Sequence, residues 1–173
     1  MQLSTRARTL LAERRQELES PLPTKNGVQP REYQQKIAET ASQSNTLVVL
    51  PTGLGKTMIA MLVAKARLEK IPRGKVVVLA PTKPLALQHQ EAFRRMLRLK
   101  EGETTIMTGE TDPLERSYLW RKSRFVFATP QTVWNDLKEG RIQLNDTVLL
   151  VFDEAHRVDV LARRYVPERR DLA

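Results

Sequence analysis

The chain has 173 residues, of which 40% are hydrophobic and 28% are charged, as in a globular domain and unlike a disordered segment. Its apolar runs are far shorter than the ~20 residues that a membrane span needs, and the absence of cysteine excludes disulfides and thiolate metal sites and fits an intracellular protein. The formal net charge of +9 favours a polyanionic partner such as nucleic acid.

The first 28 residues are predicted to form a surface helix followed by a proline-containing linker. Leucine and alanine recur at helical spacing over residues 3–19, with charged residues between them. Positive and negative side chains are mixed there and no apolar run follows, so the pattern does not indicate a signal peptide. A second helix is expected over residues 31–42.

From residue 46 onward, apolar strands alternate with helical segments. The strands are continuous runs of Val, Leu, Ile and Phe, which indicates burial on both faces of a sheet. Such alternation predicts an α/β fold in which helices wrap a parallel sheet and functional loops lie at the carboxyl ends of the strands. Strands are expected at 46–50, 75–80, 104–107, 124–128 and 147–152, and helices at 57–70, 84–98, 113–122 and 131–138.

Residues 50–57 read Leu-Pro-Thr-Gly-Leu-Gly-Lys-Thr and join an expected strand to an expected helix. Free backbone N–H groups and the helix dipole attract an anion at such a helix N-terminus. We therefore predict a phosphate-binding loop in which Lys56 reaches the β and γ phosphates and the Thr57 hydroxyl holds Mg²⁺. Leu50 replaces the usual first glycine of the pattern. The residues expected to bind nucleotide here are Thr52, Gly53, Leu54, Gly55, Lys56 and Thr57.

A pair of carboxylates, Asp153 and Glu154, follows the last apolar strand. A strand that ends in two carboxylates is what a magnesium–nucleotide site needs opposite its phosphate loop. Asp153 is predicted to take Mg²⁺ through its water shell. Glu154 is then placed to orient and deprotonate the water that attacks the γ-phosphate.

These two segments resemble motifs I and II of the superfamily 2 helicases, and more narrowly those of the archaeal Hef and Fanconi anaemia M type. The resemblance covers about residues 29–157 and implies a RecA-like P-loop NTPase lobe that uses ATP and Mg²⁺ and acts on forked or branched DNA in the cytoplasm. Further segments in the order of that family are Pro-Arg-Glu-Tyr-Gln at 30–34, Ala-Pro-Thr-Lys-Pro-Leu at 80–85 with Gln88-His89, Thr-Gly-Glu at 108–110, and Ala-Thr-Pro-Gln-Thr at 128–132.

The resemblance also implies individual roles. Gln34 would read the adenine base with support from Arg31 and Tyr33, and His156 would couple the ATP site to a downstream Ser/Thr-Ala-Thr motif. Short polar side chains and backbone N–H groups suit contacts to a nucleic-acid backbone, because they read phosphates and not bases. The residues implied to contact one DNA strand are Thr82, Lys83, Thr108, Gly109, Thr129 and Gln131.

Other conspicuous side chains are expected to have structural roles. His89 lies in an expected helix and is interpreted as a surface or packing residue. Trp120 and Trp134 are interpreted as core or half-buried residues. Two distant histidines without cysteine do not indicate a zinc site.

The resemblance stops after Arg157, and residues 158–173 are expected to form a divergent basic tail. The family fold places the strand that ends in the Ser/Thr-Ala-Thr motif between the phosphate-loop strand and the Asp153 strand. Without that strand the two neighbours close up directly, or residues 158–166 fill the gap; the sequence leaves both open. We expect an incomplete first helicase lobe that needs a second lobe, in another chain or missing from this one, for turnover.

Three alternatives stay open at this point. The first is a nucleotide- and nucleic-acid-binding module that does not hydrolyse ATP. The second is a helicase lobe of the same superfamily that acts on RNA. The third is a gene remnant that does not fold.

Overall fold

The computed structural model describes residues 29–155. The predicted N-terminal helix, His156 and the predicted basic tail lie outside the described residues. Five helices, a short 3₁₀ helix and four strands follow one another along the described chain. They are α1 (Glu32–Ala41), α2 (Lys56–Lys70), β1 (Lys75–Leu79), α3 (Lys83–Leu97), the 3₁₀ helix (Glu101–Glu103), β2 (Thr104–Met107), α4 (Pro113–Lys122), β3 (Phe125–Ala128), α5 (Pro130–Lys138) and β4 (Thr147–Phe152).

The four strands form one parallel sheet in the order β2-β3-β1-β4. Val77 in β1 lies between Val126 of β3 and Leu150 of β4. On its other side Val126 pairs with Thr105 of β2. The predicted α/β architecture with a parallel sheet is therefore confirmed, as are four of the five predicted strands.

Helices cover both faces of this sheet. Successive residues of a strand point to opposite sides, so each strand contributes side chains to both of the cores described next. On one face, Phe93 of α3 and Leu68 of α2 pack on Val76 and its neighbours. The rings of Phe93 and Phe127 meet edge to face, with centroids 5.3 Å apart. On the other face, α4 and α5 contribute Trp120 and Val133 to a second core, which confirms the interpretation of Trp120 as a core residue.

The prediction of a strand at residues 46–50 is wrong. The segment has no strand pairing, and the side chains of Leu47 and Val49 are 76% and 82% exposed. Val48 and Leu50 instead pack against α1 and α2. A strand is held by hydrogen bonds to a neighbouring strand, and within residues 29–155 no strand lies between this segment and β4. Direct closure onto β4, one of the two arrangements left open above, is not what the structure adopts.

Among the strands of residues 29–155, β4 is consequently the outermost on its side of the sheet. All six of its residues are half-buried, whereas all five residues of β1 are buried. Its carboxyl end leads into Asp153, beside the end of β1. None of the helices within residues 29–155 has the length and apolar character that crossing a bilayer requires.

Candidate active site

The predicted phosphate loop turns into α2 through two glycines in the left-handed region. Gly53 has a φ of +85° and Gly55 a φ of +78°, and side chains other than that of glycine are strained there. Gly55 is the N-cap of α2, so the loop ends directly at the free N–H groups of the helix N-terminus. Thr57 is the second residue of the helix and is half-buried. The local geometry is that of an anion-binding turn.

Lys56 folds back over this loop. Its Nζ donates a hydrogen bond to the carbonyl oxygen of Leu50, at 3.0 Å. Its charge also contributes to lowering the pKa of the Asp153 carboxyl. Lys56 and Asp153 therefore influence each other electrostatically, although they are 97 positions apart in sequence.

Side chains of α1 hold the phosphate loop from the other side. The Tyr33 hydroxyl and the Gln34 amide both donate to the carbonyl oxygen of Leu54, at 2.8 and 3.1 Å. The Gln34 side-chain oxygen accepts from the backbone N–H of Arg31, at 2.9 Å. Gln34 is buried, and a Cβ placed on Gly55 would come within 2.4 Å of its nitrogen. The structure thus gives Gln34 a contact with the loop, and its reading of adenine stays a prediction.

Asp153 is held at the carboxyl end of β4. Its backbone N–H donates to the carbonyl oxygen of Leu79 at the end of β1, at 2.8 Å. Its Oδ2 lies 2.7 Å from the Nε2 atom of His89. This hydrogen bond, more than the Lys56 charge, holds the pKa of Asp153 below its ordinary value, against the opposing effect of burial. The adjacent Glu154 has a φ of +51°.

The interpretation of His89 as a surface or packing residue is wrong. Its side chain is 13% exposed and contacts the carboxylate predicted to serve Mg²⁺. The two residues are 64 positions apart, so their meeting depends on how α3 packs along the sheet. The only signal in the sequence is the place of Gln88-His89 within the family-like segment that begins at residue 80.

The donor set fits Mg²⁺. A hydroxyl at the start of α2, on Thr57, and a carboxylate that stays ionised, on Asp153, are the hard oxygen ligands that this cation prefers. The Lys56 charge supplies a further centre for phosphate oxygens. The chemistry of these donors therefore suits a magnesium–nucleotide complex.

The residues predicted to contact nucleic acid lie at the carboxyl ends of the strands, as Asp153 does. They follow the carboxyl ends of β1, β2 and β3, which adjoin one another because the strands are parallel. The backbone N–H of Thr129 donates a hydrogen bond to the carbonyl oxygen of Met107, at 3.3 Å. Lys83 forms an ion pair with Glu110. Five of the six predicted residues are exposed or half-buried there: Thr82, Lys83, Gly109, Thr129 and Gln131.

Thr108 differs from the other five residues. Its side chain is buried, with 5% exposed, and its hydroxyl accepts from the backbone N–H of Glu110, at 3.4 Å. A ligand at this position could therefore reach the backbone of Thr108 more easily than its side chain. The other five residues form one polar face around the strand ends.

A buried charged cluster supports this face, and the sequence did not indicate it. Arg116 of α4 binds Asp136 of α5 and also donates to the carbonyl oxygen of Thr111. Thr111 follows the Thr108–Glu110 segment, so the cluster fixes the far end of that loop. Arginine and aspartate on separate helices carry no pattern that would pair them in advance.

The family model and the solved structure that this chain resembles are both of helicases. The family model of the DEAD/DEAH box helicase matches residues 31–169. The chain is 51% identical to the helicase domain of Pyrococcus furiosus Hef, with a TM-score of 0.73 over 79% of this chain and 29% of that one.

Two curated relatives are similar over comparable lengths. The DEAD-box ATP-dependent RNA helicase FANCM of Arabidopsis thaliana is 44% identical over 78% of this chain. The ATP-dependent DNA helicase mph1 of Neurospora crassa is 44% identical over 73% of it. The matched regions span only 10% and 11% of those two relatives. The resemblance to Hef and its eukaryotic relatives is confirmed.

Proposed function

The chain belongs to the DEAD/DEAH box helicase family, and from that premise we propose that it is the ATP-binding lobe of an ATP-dependent DNA helicase or translocase. The observation that carries the proposal is the phosphate loop itself, in which Gly53 and Gly55 have positive φ and lead directly into the N-terminus of α2 at Lys56. The pKa of the Asp153 carboxyl after β4 is lowered, first by its hydrogen bond with His89 and least by the charge of Lys56. Such a site needs both a phosphate cradle and an ionised carboxylate for the metal.

Each side chain has a distinct task in this proposal. Lys56 and the N–H groups of residues 53–57 bind the β and γ phosphates, and Thr57 and Asp153 hold the metal. Bound Mg²⁺ neutralises charge that develops on the phosphates. Glu154 accepts the proton of the attacking water. His156 lies outside the described residues, and its coupling role is part of the proposal.

Nucleic acid is proposed to lie across the polar face at the ends of β1, β2 and β3. The net charge of +9 favours a polyanion, and the residues there suit backbone contacts. We propose forked or branched DNA as the substrate and the cytoplasm as the location. The Arabidopsis relative is named as an RNA helicase and the Neurospora relative as a DNA helicase. Competition between single-stranded DNA and RNA of one sequence therefore separates these candidates.

A second lobe is proposed to complete the enzyme. The chain spans 29% of the Hef helicase-domain chain and about a tenth of the two curated relatives. An arginine supplied from another lobe or protein accelerates such hydrolysis by ~10³–10⁵-fold. The lobe alone is therefore expected to turn over ATP slowly, and the second lobe to come from another chain or from further sequence.

The test is phosphate release from Mg²⁺-ATP by the purified 173-residue chain, with and without single-stranded DNA. The matched variant is Glu154→Gln, which keeps the size of the side chain and removes the base. Slow release that disappears in the variant, with nucleotide binding retained, is the expected result. Binding with identical background release in both proteins would favour the module that does not hydrolyse ATP.

A further inference from the structure

His89 connects the middle of α3 to the end of β4. Its Nε2 lies 2.7 Å from Oδ2 of Asp153, and the two side chains are 13% and 20% exposed. At this separation and degree of burial, the contact is a short hydrogen bond partly shielded from water. No other role assigned above uses His89.

The orientation of the Asp153 carboxylate depends on its hydrogen bonds. Rotation of an aspartate carboxylate about its last bond is only weakly restricted by the side chain itself. The His89 ring and the backbone N–H of Glu154 both hydrogen-bond to this group, and both lower its pKa. A carboxylate offers about four acceptor positions, so these two bonds orient it and leave positions for the water shell of a metal.

We propose that His89 is a positioning residue for the magnesium site: its hydrogen bond to Oδ2 holds the Asp153 carboxylate in the orientation that receives the hydrated cation. The inference rests on the proposed function, since it concerns the same metal. Partners of this kind, which orient a metal ligand without touching the metal, typically change metal affinity 10–100-fold when removed.

The test compares His89→Leu with His89→Gln in the full chain. Leucine fills similar space without a donor, and the amide nitrogen of glutamine donates from nearly the position of Nε2. Calorimetry with the non-hydrolysable analogue AMP-PNP is run in excess MgCl₂ and in EDTA. The ratio of the two Kd values gives the gain in affinity that depends on magnesium, and the value in EDTA reports whether the phosphate loop is intact.

The expected result is a gain about tenfold smaller in His89→Leu and near the native value in His89→Gln, with equal affinities in EDTA. An unchanged gain in His89→Leu would overturn the proposal. A larger gain would overturn it too, because His89 would then compete with the metal. If His89→Leu lost the same factor of AMP-PNP affinity in EDTA as in MgCl₂, the role of His89 would be in folding only, and the proposal would likewise be overturned.

Failure of the proposed function has a different signature. The native chain would then bind AMP-PNP neither in MgCl₂ nor in EDTA. Binding by the native chain that improves with magnesium supports the nucleotide site itself, whatever the variants of His89 do.

Discussion

Arg116 and Asp136 form a two-pronged ion pair between α4 and α5. Nε of Arg116 lies 2.6 Å from Oδ2 and its Nη2 lies 2.7 Å from Oδ1, and Asp136 is fully buried. Arg141 adds a third bond to Oδ1, at 2.7 Å. Because Arg116 also holds the Thr111 carbonyl, the pair ties the loop after β2 to the helix after β3, and these two segments carry the proposed nucleic-acid face.

The variant Asp136→Asn is expected to lower the free energy of unfolding by about 3 kcal/mol, because it leaves two arginines beside a neutral amide in a buried site. Urea denaturation measures the change. Asp112→Asn is the matched control: it removes the same charge at the N-cap of α4, where asparagine caps as well as aspartate. Equal costs for the two variants would contradict the importance of the ion pair.

Acid should remove the contribution of Asp136. Burial raises the pKa of this carboxyl, but the hydrogen bonds from Arg116 and Arg141 more than offset it, so the pKa lies below the ordinary 3.8. A lowered pKa in the folded state means that the stabilisation is full above 3.8 and is lost as the pH falls toward the folded pKa.

The measurement is the difference in unfolding free energy between the native chain and Asp136→Asn as a function of pH. We expect a constant difference from about pH 7 to pH 5 and a decrease below about pH 4. A difference that grows on acidification would contradict the sign of the shift.

The two loop glycines should differ in their response to alanine. Both have positive φ, which costs alanine about 1 kcal/mol or more. At Gly55 the new Cβ would also come within 2.4 Å of the Gln34 nitrogen, whereas at Gly53 it meets nothing within 4 Å. Gly55→Ala is therefore expected to cost more stability than Gly53→Ala in urea denaturation. Equal costs would mean that the contact of Gln34 with the loop does not restrict it.

The side chains of residues 46–50 should divide into two classes. Val48 packs against α1 and α2, and Val49 is 82% exposed. Val48→Ala is expected to cost about 1 kcal/mol and Val49→Ala close to nothing, as measured by thermal or urea unfolding. A comparable loss at Val49 would show that the segment is buried in a sheet after all.

Features set by neighbouring residues could be predicted from the sequence. Strands β1 to β4 begin and end within one residue of their predicted bounds. A continuous apolar run such as Val76–Leu79 predicts a buried strand without any knowledge of its neighbours in the sheet. The phosphate loop is likewise local, since its glycines precede a helix. Residues 46–50 have the same apolar pattern, but a strand also requires a partner, and the pattern does not report whether one is present.

Contacts between side chains of distant segments could not be predicted from the sequence. His89 and Asp153 meet because α3 packs on β1, β2 and β3 and so brings His89 to the residue that follows β4. Arg116 meets Asp136 because α4 and α5 lie on the same face of the sheet. Each of these residues is polar and lies in or beside a regular element, so each is ordinarily interpreted as facing solvent. Only the packing of the elements assigns their partners.

The most direct test of the nucleotide site is a titration of Mg²⁺-AMP-PNP into the full chain and into Lys56→Ala, followed by calorimetry and by melting temperature. Lys70→Ala is the matched control, because it removes the same charge from the opposite end of α2. We predict saturable binding with a rise in melting temperature for the native chain and the control, and a loss of about tenfold or more in affinity for Lys56→Ala. Equal binding by all three proteins, or no binding by the native chain, would contradict the account.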